Sequence, residues 1–233
     1  METKEILTLE NNEIELSDRS TEINLKIENK EARKIISEIK KTMRKNKLNS
    51  LSAPAIGYNR RIFCIDFKDQ EIKTFINPII TNAKGLQLSR EKCTSIPGRE
   101  FIRPRNNEIE VMFQNPMGKA QSRKLIGLAA IVYQHELDHL DGLLLSDVGL
   151  EVDELYDNAS DEEKQEVIEA YLDSLDLKQK EMNEEIQEDK ELKQIDDARK
   201  YMTSVYKGET KLEHLQKFSD DMKNKLEESV TDK

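Results

Sequence analysis

A chain of 233 residues with 36% hydrophobic and 36% charged side chains can bury a core, but it is too rich in charge to do so along its whole length. Its net charge of −10 is uneven: residues 151–233 hold 26 Asp and Glu against 13 Lys and Arg, while residues 1–150 hold 21 against 24. The acidic back argues against sequence-specific nucleic-acid binding there, no apolar run approaches the roughly 20 residues of a membrane span, and two cysteines make no disulfide scaffold.

The start, Met1-Glu2-Thr3-Lys4-Glu5, is charged and does not read as a secretory leader. With free thiols expected at Cys64 and Cys93, the location expected is cytoplasmic. Short alternations at Ile14-Glu15-Leu16 and Ile23-Asn24-Leu25 read as weak strands or an irregular lead-in. Residues 29–47 read as a helix, because Ile35, Ile36, Ile39 and Met43 recur at helical spacing among charges. Asn49-Ser50 ends it. Strand signals follow at 61–67, 73–80, 86–88 and 108–113, with turns expected at Pro97-Gly98 and at Asn115-Pro116-Met117-Gly118. In the first of these strands Cys64 reads as a buried, inert thiol. A helix is expected over about 123–142, carrying Leu125, Leu128, Ala129, Val132, Leu137 and Leu140, with Gly142 as its stop.

Helix formers dominate beyond Ser160, which forms a capping-box pattern with Glu163. Gly208 would end this helical region, and Thr210 with Glu213 would cap another helix. The reading is α+β: antiparallel strands packed around one central helix over residues 1–150, then an acidic, mainly α-helical extension over 151–233. The extension is either a solvated charged face or a surface for a basic partner.

The chemistry concentrates in Gln134-His135-Glu136-Leu137-Asp138-His139. Residues four apart share one helix face, so His135 and His139 can turn imidazole nitrogens to one metal ion. Glu136 beside them can take a water's proton and later deliver it to a leaving group. Two of the chain's three histidines lie here, and the third, His214, lies in the charged tail and reads as solvated. Cys93 reads either as a buried structural thiol or as the third ligand. A Cys/His/His set leaves a fourth position open, as catalytic sites do, and suits Zn or Fe(II) better than Mg or Ca.

These residues stand in a context that resembles the peptide deformylase family over roughly residues 30–148. The family motif Gln-His-Glu-x-Asp-His-Leu-x-Gly is matched by Gln134 through Gly142. The motif Glu-Gly-Cys-Leu-Ser with a following Pro-Gly is matched at Glu91, Cys93, Ser95, Pro97 and Gly98. Gly-Leu-Ala-Ala-Pro-Gln-Ile-Gly falls on Ser50 through Gly57 without a gap. The resemblance implies one divalent metal, Fe(II) or Zn, held by Cys93, His135 and His139, with Glu136 as general acid/base. It implies removal of the formyl group from the N-terminal methionine of nascent polypeptides. It places the Thr94 backbone N–H at the developing oxyanion, and Gln134, Glu91 and Asp138 behind the ligands. Asp138 reads equally as a solvated helix residue. Ile131 and Val132 would wall an apolar methionine pocket, or are ordinary core.

Four positions depart from the family pattern: Ser50 for Gly, Ser52 for Ala, Lys92 for Gly and Thr94 for Leu. A fifth matters more. Ala55 stands where the family has Gln, whose amide donates to the formyl oxygen. Loss of one oxyanion donor costs about 10²–10³ in kcat. Ser52, with its hydroxyl, is the nearby polar group in that segment. Three functions follow: an active deformylase with an altered oxyanion hole; a metal-binding module of low or no activity that assembles through 151–233; and a metallohydrolase acting on another amide. The extension could also reach the ribosome or a basic protein.

Overall fold

The computed structural model describes residues 3–68 and 71–175. The first compact unit runs to Lys164 and the second begins at Gln165. Six strands form one antiparallel sheet. β1 (Ser50–Ser52), β2 (Ile62–Ile65), β3 (Lys73–Cys93), β4 (Ile96–Gln114) and β5 (Ala120–Ile126) follow one another in space as in sequence, and β6 (Leu150–Val152) pairs with the start of β4. Such neighbour-to-neighbour pairing needs only short connections.

The long β3–β4 hairpin is the spine. Its strands pair from Ile76↔Gln114 to Cys93↔Ile96, leaving Thr94 and Ser95 as the turn. The turn expected at Pro97-Gly98 is absent. Between Glu91↔Phe101 and Cys93↔Ile96, β4 advances five residues while β3 advances two, so Pro97 and Gly98 lie in a bulge of β4. Proline lacks the N–H of a ladder, and a bulge is where a strand accommodates it. The stretch expected as a separate strand at 86–88 belongs to β3. The turn at Pro116–Gly118 is present.

The sheet carries a helix on each face, sorted by the alternation of its strands. α2 (Asn29–Asn46) buries Ala32, Ile35, Ile36, Ile39 and Met43 against Leu51, Ile62, Cys64 and Ile76. The opposite face presents Phe63, Ile65, Phe75, Val111 and Phe113 to α3 (Leu128–Leu140) through Ala130, Tyr133 and Leu140. Tyr133 meets Phe63 and Phe75 edge-on at 5.0 and 5.2 Å, a favoured arrangement for aromatic pairs.

α3 is shorter than the 123–142 expected. Residues 120–126 pair with β4 instead, with Leu125 buried from the sheet. Gly127 makes the switch at φ 61° and ψ −135°, a conformation open to glycine alone. Gly142 follows the helix at φ 73°, and a Cβ there would stand 2.3 Å from the Ser17 carbonyl oxygen.

The N-terminal reading is also corrected. Leu9–Ser17 is a helix, α1, not strand or irregular lead-in. Its pattern hides it: Ile14 is exposed, Leu16 is its one buried residue, and Asn12 breaks the helical dihedrals midway. Beyond β6, Leu145–Val148 (α4) having preceded it, comes the short α5 (Glu154–Asn158). A further helix starts at Asp161, capped reciprocally by Ser160 and Glu163 at 2.7 and 3.2 Å, as its pattern suggested. Of the second unit, residues 165–175 are described and are helical. Gly208, the Thr210–Glu213 cap and His214 lie outside the described residues.

Candidate metal centre

The end of β3 and one face of α3 bring Cys93, His135 and His139 together, with one ligand atom of each lying within 4.8 Å of the others. Cys93 Sγ is 3.2 Å from His139 Nε2. Tetrahedral coordination by sulfur and nitrogen places neighbouring ligand atoms about 3.5 Å apart, so the set is nearly pre-formed for a zinc-like ion. The Cys93 thiol and His139 are buried, and His135 is half-buried.

Without an ion the three groups hold one another as a thiolate–imidazolium cluster, and metal binding would displace the imidazolium proton. Burial disfavours a thiolate at Cys93. The charge of His139 and hydrogen bonds from both histidines overcome this and bring its pKa to about 5. Burial likewise disfavours the imidazolium at His135, but the Cys93 and Glu91 hydrogen bonds raise it to about 10. Nδ1 of His135 donates to Glu91 Oε2 at 2.9 Å, so its other nitrogen is the one turned to the cysteine. This is how a ligating imidazole is oriented in metal sites. Cys64, by contrast, is fully buried, and burial pushes its thiol up to about 11.

Glu91 is held in turn. Arg105, 2% exposed, donates to its two oxygens from Nε at 2.7 Å and Nη2 at 2.9 Å. Burial works against the Glu91 carboxylate, yet Arg105 and His135 bring its pKa down to about 2. Arg105 also reaches Asp138, which Arg103 contacts as well. Sequence reasoning missed both arginines. The available signal was Arg103-Pro104-Arg105 in a strand, since residues two apart share one sheet face.

The other expected site residues sort clearly. Glu136 is buried, and its carboxylate takes no hydrogen bond from a described residue. Asp138 is partnered by the two arginines rather than by His139. The described hydrogen bonds of the Gln134 amide do not go to Cys93, His135 or His139. Its amide bonds the backbone of Asn106 both ways, at 2.8 and 3.0 Å, and the Ala130 carbonyl at 3.0 Å, pinning α3 to β4. Thr94 is exposed in the hairpin turn beside Cys93.

Ala55 lies in a 3-10 turn (Pro54–Ile56), buried in the cluster that packs on α2. Ser52 is fully buried, and its hydroxyl has no partner among the described residues. It pairs with Phe63 across β1 and β2, so both face α3. Val132 lines a cavity of about 270 Å³ with Ala129, Leu128, Phe67, Ile65 and Asn49, while Ile131 is half-buried on the same helix. No described helix is long and apolar enough to cross a membrane.

Comparison with known proteins gives a consistent result. The profile of the polypeptide deformylase family matches residues 3–153. A peptide deformylase of Dictyoglomus turgidum is 37% identical over 134 residues, covering 54% of this chain and 87% of that protein. The structure of a peptide deformylase from Synechococcus elongatus in complex with actinonin superposes with a TM-score of 0.57 at 28% identity, covering 65% of this chain and 80% of that one. That of a probable peptide deformylase from Synechococcus phage S-SSM7 gives 0.57 at 31% identity, over 63% and 99%.

Proposed function

The chain belongs to the polypeptide deformylase family, and we propose how its own residues carry out that family's reaction. The activity is hydrolysis of the N-formyl amide at the N-terminal methionine of newly made proteins, with release of formate. The observation that carries the mechanism is the convergence of Cys93, His135 and His139 beside Glu136 on α3.

Cys93, His135 and His139 would hold one divalent ion, Fe(II) or Zn, which would supply the acidification of water and the polarisation of the formyl oxygen. Glu91 fixes His135 in the tautomer that presents its free nitrogen inward. Glu136 accepts the proton of the attacking water and returns it to the leaving amine. The absence of a hydrogen bond to its carboxylate from the described residues leaves that proton site open.

The Thr94 backbone N–H, at the turn after Cys93, donates to the oxyanion. Ala55 offers no second donor. Ser52 takes that part: its hydroxyl is buried, without a partner among the described residues, and on the sheet face that meets α3. An unmatched buried hydroxyl costs stability, and the reacting oxygen supplies its missing partner. The cavity beside Val132, Ala129 and Leu128 takes further apolar walls from Ile65 and Phe67, also carries Asn49, Asp66 and Lys68, and is large enough for a methionine side chain. Gln134 and the Arg105–Asp138 pair hold the scaffold around the ligands. The catalytic part spans residues 1–150, and the location is the cytoplasm. The acidic segment 151–233 serves contact with a basic protein, a role supported by its composition alone.

The test is formate release from formyl-Met-Ala-Ser by protein loaded anaerobically with Fe(II), beside Glu136→Ala. Release that disappears in the variant supports the reading, and a metal-replete wild type that releases nothing sinks it.

A further inference from the structure

Residues 7–20 touch both elements that build the metal centre, and the Pro54–Ile56 turn as well. The Leu7 N–H donates to the Ala55 carbonyl at 2.8 Å, and the Leu9 N–H donates to the Ser95 carbonyl at 2.8 Å. Farther on, the Ser20 N–H donates to the Leu140 carbonyl at 2.8 Å, where α3 ends. The Ser17 carbonyl occupies the space that a side chain at position 142 would need. Leu16, fully buried, packs with Cys93, Ile96 and Phe101, and Leu7 and Leu9 lie against the same cluster.

We infer that this N-terminal strap is a positioning element for catalysis, and that the Leu9 N–H is its working contact because it fixes the Thr94–Ser95 turn. The inference rests on the deformylase reading, in which the Thr94 N–H steadies the oxyanion. Among the described backbone contacts, the Leu9 N–H is the donor that meets this turn from outside the hairpin, and Thr94 is exposed. The Leu9 hydrogen bond reaches the carbonyl one residue beyond Thr94 and ties the turn to α1. An amide that must meet a developing charge works only if held in place, and small misplacements cost rate rather than binding.

The local geometry allows this one contact to be removed cleanly. Leu9 is the first residue of α1, so its N–H lies outside the helical ladder. Proline is well tolerated at that position. Thr8 before it is extended, at φ −114° and ψ 148°, as a residue preceding proline prefers. Leu9→Pro therefore deletes the hydrogen bond and the leucine side chain, whereas Leu9→Ala deletes the side chain alone.

The experiment compares wild type, Leu9→Ala and Leu9→Pro as full-length, Fe(II)-loaded protein. It measures kcat and KM on formyl-Met-Ala-Ser and hydrogen exchange of the amides at 93–96. Leu9→Pro is expected to lower kcat about tenfold relative to Leu9→Ala at unchanged KM, and to speed exchange at 93–96 while Leu9→Ala does not. Equal kcat in the two variants, or a kcat loss without faster exchange, overturns the inference. A wild type that releases no formate sinks the deformylase reading, and this inference with it, before any variant is compared.

Discussion

Glu91 accepts a hydrogen bond from His135 Nδ1 at 2.9 Å while both its oxygens are held by Arg105. Its Oε2 sets the ring of a candidate metal ligand, and both oxygens are locked to a buried cation. Glu91→Ala removes both functions. Loss of such an outer partner lowers metal affinity about 10–100-fold, which competition for Zn against a chromophoric chelator measures. The variant also leaves Arg105 with Asp138 as its carboxylate partner, so chemical denaturation should show a large loss of stability. An unchanged metal affinity would mean that His135 is oriented by its packing alone.

The same pair sets an acid limit. The Glu91 pKa lies at about 2, below its ordinary 4.5. A depressed carboxylate contributes stability that is fully present above the unfolded value and is lost as pH falls through the folded one. The window is therefore pH 4.5 down to about 2, and the contribution is on the order of 3 kcal/mol. Urea denaturation of metal-free protein at pH 6 and pH 3 checks this. The gap in stability between wild type and Glu91→Gln should narrow at the lower pH, and a constant gap would contradict it.

What the sequence made legible was local. His135, Glu136 and His139 share a face because helical spacing alone puts them there, and the α2 stripe of Ile35, Ile36 and Ile39 reads the same way. Arg105 was not legible. Its burial follows from strand register, in which Gln87 opposes Arg105 and Glu91 opposes Phe101, and register is a property of the sheet rather than of any window. α1 escaped because Leu16 alone is buried, leaving no stripe to count. Gln134 kept its place in the motif but not its expected task, since it turns to the backbone of β4 instead of a ligand. The N-terminal boundary of α3 failed for a related reason. Leu125 has helical spacing with Leu128 and Ala129, but pairing with β4 claims it first.

Glu136→Gln separates metal binding from proton transfer. The amide is close in size and cannot take a proton from water, and no described hydrogen bond depends on the carboxylate. Metal content by atomic absorption should match wild type, while kcat falls by about 10²–10⁴. A variant that keeps a tenth of wild-type kcat would move the proton-accepting role elsewhere.

Ser52 and Ala55 give the last prediction. Removing a buried hydroxyl that has no partner among the described residues should stabilise the fold, by about 1 kcal/mol, raising the thermal midpoint by roughly 2–4 °C. A residue of purely structural importance would not gain stability and lose rate together. Ser52→Ala is expected to do both, with kcat falling by about 10²–10³ if its hydroxyl meets the oxyanion. Adding Ala55→Gln to Ser52→Ala returns an amide donor to the same segment and should recover much of the lost kcat. Calorimetry and formate release on the single and double variants decide the matter. A Ser52→Ala protein that is more stable and fully active would show that the hydroxyl faces α3 without serving the reaction, and that the Thr94 amide with the metal ion carries the oxyanion unaided.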